Sequence, residues 1–161
     1  MPERSSAGSI VGEVGSTLVI PADAMSVREL SGWLAGLLAE TGPEATVLQT
    51  RVELAVHEVC MNIVDHAYGA EHVPGTDDLT IDGAVDPDAI RIEVRDRGAG
   101  FDIDAVPKPE PGVPHIRGYG LVIVEKLVDE LGYTRRGDNN IWSLRFDRAA
   151  DPQGDDHDNR T

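Results

Sequence analysis

Cysteine occurs once in the 161 residues, at Cys60, which excludes an internal disulfide and fits a reducing compartment. Beside an apolar helical stripe, Cys60 reads as a small packing residue rather than a nucleophile. No apolar run approaches the roughly 18 residues of a membrane span, so the sequence predicts no membrane segment. The opening MPERSSAGS carries no apolar segment after its charges, so no signal peptide is expected. Clusters of Lys and Arg are also missing. The formal net charge is −15, which argues against a direct, sequence-independent grip on nucleic acid. The same charge suits encounter with a basic protein partner, or serves as a plain solubility surface.

Several catalytic signatures are absent as well. There is no G-x-x-x-x-G-K-[ST], which excludes a P-loop. There is no H-R-D of the protein-kinase type, and no serine sits in a nucleophile elbow. H-E-x-x-H and paired C-x-x-C are missing, and His57, His66 and His115 are too dispersed for a zinc site.

What is present suits one compact domain. Residues 1–8 and the acidic stretch 149–161 read as disordered, leaving 9–148 as the folded unit. Ser9–Ile20 suggests a strand or a broken pair, firmest over Thr17–Ile20, with Pro21 ending it. Ser26 and Glu29 have capping-box spacing before a helix over Val27–Glu40, which carries Leu30, Leu34, Leu37 and Leu38 on one face. Thr41-Gly42-Pro43 closes it. A second helix runs from about Ala45 to Ala67. Leu79–Val85 and Ala89–Asp96 alternate apolar and polar residues about the turn Asp86-Pro87-Asp88, giving a hairpin. Residues 102–117 hold four of the ten prolines and cannot be regular structure. An apolar helix follows, from Gly118 to Gly132. Tyr133–Arg136 and Ile141–Phe146 form the last two strands. The order predicts an α+β fold, one mixed β-sheet with helices packed on one face.

Three stretches could carry chemistry. In the second helix, Val52, Val56, Val59 and Ile63 form an apolar stripe. Glu58, Asn62 and His66 recur at four-residue intervals roughly 90° round from it. An acid, an amide and an imidazole stacked there suit a hydrated cation with phosphates attached; a solvated face with a capping histidine reads the same spacing. Asp96-Arg97-Gly98-Ala99-Gly100-Phe101 follows the end of a strand. Its carboxylate can project into a cleft and accept a hydrogen bond from an exocyclic amine, while the glycines permit positive φ and close approach of a ring. An ordinary strand-to-loop turn uses the same residues. Gly118-Tyr119-Gly120-Leu121 opens a helix, where free N–H groups attract anions; a plain loop-to-helix junction is the alternative.

Taken together, Glu58-x-x-x-Asn62-x-x-x-His66-Ala67, Asp96-x-Gly98-x-Gly100-Phe101 and Gly118-x-Gly120-Leu121 resemble the N, G1 and G2 boxes of the GHKL ATPase superfamily. The short layout is most similar to bacterial anti-sigma-factor serine kinases. The resemblance spans about Thr17 to Phe146 and implies the histidine-kinase-like ATPase (Bergerat) fold, with ATP and Mg2+ as ligands. By that resemblance Glu58 is the general base and Asn62 the metal ligand. His66 lies near the phosphates or braces the helix. Asp96 binds the adenine amine, Gly98, Gly100 and Phe101 shape the purine pocket, residues 102–117 form the lid, and Gly118, Tyr119, Gly120 and Leu121 cradle phosphates.

The implied activity is that of a cytoplasmic, homodimeric anti-sigma factor. It binds a sigma factor and phosphorylates an anti-anti-sigma (STAS) partner on a hydroxyl. A nucleotide-binding regulatory module with little or no turnover is the alternative; a detached sensor-kinase domain lacks the dimerisation helix with its phospho-accepting His. The sequence departs from the family in three places. Arg117 stands where a glycine is frequent, as a γ-phosphate contact or a solvated lid residue. Asn139-Asn140 occupies the region where the family usually places a Thr near the adenine. The lid is short and proline-rich.

Overall fold

The computed structural model describes residues 14–39, 41–42, 45–67, 77–100 and 120–148. The two terminal segments expected to be disordered, and the lid, lie outside these residues. Five strands, β1 (Val14–Pro21), β2 (Asp78–Val85), β3 (Ala89–Asp96), β4 (Glu130–Arg136) and β5 (Asn139–Asp147), form one sheet in the order β1-β2-β3-β5-β4. The helices are α1 (Glu29–Leu38), α2 (Ala45–Asn62) and α3 (Gly120–Leu127). A 3-10 turn, Ser26–Arg28, precedes α1, and a π-turn, Ile63–Ala67, follows α2.

The period-2 pattern explains how the sheet is covered. Leu79, Ile81 and Val85 in β2, Ile90, Ile92 and Val94 in β3, and Trp142, Leu144 and Phe146 in β5 are all buried on the helix side. They meet Leu30, Leu34, Leu37 and Leu38 of α1 and Val52, Val56 and Val59 of α2 in one core. The other sheet face is polar. There Arg95 pairs with Asp82, and Arg145 lies 3.7 Å from Glu130 and 3.1 Å from Asp147. Such exposed pairs keep the face soluble and add little stability.

The α+β architecture with helices on one face is as expected, but the sheet is not mixed. All four pairings among the described strands are antiparallel. The crossover after β3 carries the chain to edge strand β4, which runs the same way as β3. The hairpin then returns β5 into the space between them, so the two parallel strands never bond.

Three local expectations change. Ser26 does not cap α1; Asp23 does that work upstream, its carboxylate accepting from the Ser26 N–H at 2.7 Å and the Ser26 hydroxyl at 3.0 Å. The first strand includes Pro21, which edge position permits. The last helix stops at Leu127 rather than Gly132. The Asp129 N–H already donates to the Arg145 carbonyl at 2.9 Å, and Leu131 pairs with Leu144, so sheet bonding claims the end of the apolar run. The predicted β2–β3 turn is built by Asp86, whose carboxylate accepts from the Asp88 and Ala89 N–H groups at 2.8 and 2.9 Å.

Arg51 fixes the register of α2 on α3. Its Nε donates to the Leu127 carbonyl, its Nη2 lies 3.1 Å from Asp129, and its guanidinium stands 5.8 Å from the Phe146 ring centroid. Seven residues separate Arg51 from Glu58, and seven separate Leu127 from Gly120. At 1.5 Å per residue both spans are about 10 Å. Pinning one end of the antiparallel pair therefore sets Glu58 opposite Gly120.

Gly83 marks where α1 presses on the sheet. A Cβ there would collide with Leu37 Cδ2 and come within 2.9 Å of the Trp33 ring. Gly83→Ala is expected to destabilise the fold by about 1–3 kcal/mol through overpacking. Urea denaturation checks this: a midpoint equal to wild type would show that α1 does not bear on β2 there.

Candidate functional site

The site grows out of strand parity. Ile90, Ile92 and Val94 face the core, so Asp96 takes the next inward position at the end of β3. In β5, Trp142, Leu144 and Phe146 face the core, so Asn140 takes the inward position at that strand's start. Asp96 and Asn140 are direct partners in the β3–β5 ladder. They are 3% and 1% exposed, a buried polar pair at one end of an apolar core.

Every polar atom of this pair but one is satisfied. Asp96 Oδ1 accepts from the Gly98 N–H at 2.8 Å and from Asn140 Nδ2 at 3.0 Å. Asn140 Nδ2 also donates to the Gly98 carbonyl at 3.0 Å and the Ala99 carbonyl at 3.3 Å. Asn140 Oδ1 accepts from the Tyr133 hydroxyl at 2.7 Å and Arg135 Nη1 at 2.8 Å. The exception is Asp96 Oδ2, buried and without a partner. Burial pushes the Asp96 carboxyl above its ordinary pKa. The Asn140 and Gly98 hydrogen bonds and the Arg135 charge pull in the opposite direction. A donor arriving at Oδ2 would relieve the group that burial strains, as an adenine amine could.

The second half of the site lies where α2 meets α3. A Cβ built on Gly120 would stand 2.9 Å from Glu58 Oε2 and 3.0 Å from Asn62 Nδ2. The absent side chain thus leaves the start of α3 open to an acid and an amide. Asn62 Nδ2 is buried without a partner, a donor left over beside that junction. An amide oxygen and a carboxylate are hard donors that suit Mg2+, which takes few protein ligands and keeps phosphates and water for the rest.

His66 is exposed on the π-turn and lines one narrow cleft with Asn62, Ile63, Asp96, Gly100 and Asn140. π-Turns of this kind are frequent at functional sites. The cleft holds about 20 Å³, room for a water and far too little for a purine. Arg135 packs beside it: its Nη1 donates to the Gly98 carbonyl at 3.1 Å, and its stem lies where a Gly100 Cβ would stand. Gly98 and Gly100 do not use the positive φ open to them; at Gly100 the missing Cβ makes room for Arg135. Leu121 is buried in the core, so only its backbone faces the α3 start. Phe101, Gly118, Tyr119 and Arg117 lie outside the described residues. A broader hollow of about 650 Å³ lies on the polar sheet face, lined by Asp82, Arg91, Glu93 and Arg145. It gathers none of the three motifs.

Cys60 is fully buried, its thiol pushed up to about 12 by burial and, second, by the Asp96 charge. That keeps it neutral and inert. Tyr133 and Arg135 were not among the expected site residues, and Asn140 was marked only as standing where the family usually places a Thr. Alternation in IWSLRF would have pointed Asn140 inward; nothing in sequence tells that it faces Asp96.

Residues 20–146 match the family model of the histidine kinase-like ATPase domain. Over 88 residues the chain is 35% identical to the serine-protein kinase RsbW of Bacillus licheniformis, covering 50% of this chain and 53% of that protein. The chain therefore spans about half the length of that relative. RsbW of Bacillus cereus is 28% identical over 121 residues, covering 70% of this chain and 72% of that protein. A crystal structure of the RsbU and RsbW domains of a Mycobacterium tuberculosis protein shares the fold, with a TM-score of 0.59 at 21% identity over 85% of this chain and 34% of that one.

Gly120→Ala separates the site from the fold. Alanine favours a helix over glycine by up to about 1 kcal/mol, so the melting temperature should stay within a few degrees of wild type or rise. Nucleotide affinity, read by calorimetry, should fall at least about tenfold as the methyl group displaces Glu58 and Asn62. Unchanged affinity would remove this junction from the site.

Proposed function

Because the chain belongs to the histidine kinase-like ATPase domain family, we propose that it binds ATP with Mg2+ and transfers the γ-phosphoryl group to a protein hydroxyl. The acceptor is a serine or threonine of an anti-anti-sigma (STAS) partner, and the chain also holds a sigma factor, acting as a cytoplasmic, homodimeric anti-sigma kinase. The names of the Bacillus relatives support the serine-kinase half of this reading. No described helix is long and apolar enough to cross a membrane.

The observation that carries the proposal is the meeting of Glu58, Asn62 and the open start of α3 at Gly120. In the proposed reaction Asp96 Oδ2 accepts the adenine amine and fixes the base. The free N–H groups at the start of α3 receive phosphate oxygens. Asn62 would hold Mg2+, which would supply charge neutralisation at the phosphates. Glu58 takes the proton of the substrate hydroxyl as its oxygen bonds to the γ-phosphorus. The bond from that phosphorus to the bridging oxygen breaks, and ADP leaves with the electron pair. The chain's contribution is positioning and electrostatics, as in phosphoryl transfer generally.

Glu58→Ala tests the role of the base. Phosphate transfer from labelled ATP to a cognate STAS partner should fall about 10²- to 10⁴-fold, with ATP affinity within a few-fold of wild type. Transfer at the wild-type rate would overturn the assignment of Glu58. Wild-type protein that binds ATP yet never labels the partner would instead be a nucleotide-binding regulatory module.

A further inference from the structure

The hydrogen bonds around Asn140 extend the ATP-binding reading, and rest on it, to the choice of base. The orientation of this amide is fixed by chemistry. Arg135 can only donate, so the atom facing it must be Oδ1. The Gly98 and Ala99 carbonyls can only accept, so the atom facing them must be Nδ2. A flipped amide would set its oxygen against two carbonyls and the Asp96 carboxylate. The Tyr133 hydroxyl, 2.7 Å from Oδ1, reinforces the same choice. Both Nδ2 hydrogens are therefore spent on Asp96 Oδ1 and the two carbonyls. The side chain has no donor left to offer a base.

We propose that Asn140 is the positioning residue that makes this cleft select adenine over guanine, by occupying Asp96 Oδ1 so that only Oδ2 is offered. Adenine presents one amine at its six-position, and a single acceptor serves it. Guanine presents a carbonyl there, which would face a carboxylate oxygen. Its two neighbouring donors, the ring N–H and the two-amino group, are read by a carboxylate that offers both oxygens side by side. Asn140 prevents that arrangement, since Oδ1 already accepts from Nδ2 and from the Gly98 N–H. The discrimination comes from a residue that need not touch the base.

The experiment is calorimetric titration of the full chain with Mg-ATP and Mg-GTP, for wild type and Asn140→Ala. Wild type should favour ATP by about 100-fold or more, as expected where a buried polar group is left unpaired by the wrong ligand. In Asn140→Ala, Asp96 Oδ1 keeps only the Gly98 N–H and can accept from a base beside Oδ2. ATP affinity should fall about tenfold and the ATP-to-GTP ratio should narrow by at least about tenfold. A purely structural role would weaken both nucleotides equally and leave the ratio unmoved, and that result overturns the proposal. Should Asn140→Ala fail to fold, Asn140→Ser carries the same test. Its single hydroxyl hydrogen cannot serve Asp96 and two carbonyls together, so the ratio must narrow there too. Wild-type protein that is folded and binds neither nucleotide would instead overturn the ATP-binding reading itself, and this inference with it.

Discussion

A carboxylate placed at the end of an apolar core must find partners or stay uncharged, and the way Asp96 meets that demand shapes the rest of the site. Strand parity drives it inward, and the ladder sets Asn140 opposite. Asn140 in turn draws in Tyr133, Arg135 and the Gly98 and Ala99 carbonyls. The loop after β3 and the edge hairpin are thereby held on one amide. What the arrangement leaves over is a single buried oxygen, Oδ2. In a folded domain an unpaired buried acceptor destabilises by about 1–3 kcal/mol, a cost that the amine of the proposed nucleotide would offset.

The Glu58 end of the site obeys a different constraint, the register of two antiparallel helices. Arg51 secures the far end of the pair, and equal seven-residue spans bring Glu58 level with Gly120. In the proposed reading, purine recognition is thus a task of the sheet, and phosphate chemistry a task of the helix pair. The two meet because Asn62 and the π-turn after it line the cleft that Asp96 closes.

Much of this was legible in the sequence, and for physical reasons. The inward residues of β2 and β3, the Leu30–Leu38 stripe and the Val52–Ile63 stripe all follow from periods of 2 and 3.6, which one element sets by itself. Position in those patterns also placed Glu58 and Asn62 beside the core and Asp96 at its edge. The errors arose where a distant segment decides. Leu131 continues an apolar helical run, yet pairs with Leu144 and becomes strand. The sheet is antiparallel throughout because β5 inserts between β3 and β4, a choice no local pattern encodes. Ser26 has the spacing of a cap, but its N–H and hydroxyl are both donated to the Asp23 carboxylate. Asn140 could be seen to point inward; its partnership with a residue 44 positions away could not.

The most direct measurement is a crystal structure of the full chain with magnesium and a non-hydrolysable ATP analogue. The adenine six-amino group should lie within hydrogen-bond distance of Asp96 Oδ2, with the Asn140 amide still on Oδ1 and the triphosphate at the Gly120 end of α3. Analogue bound with its base elsewhere, and Oδ2 still lacking a donor, would contradict the claim that this oxygen is kept open for a nucleotide.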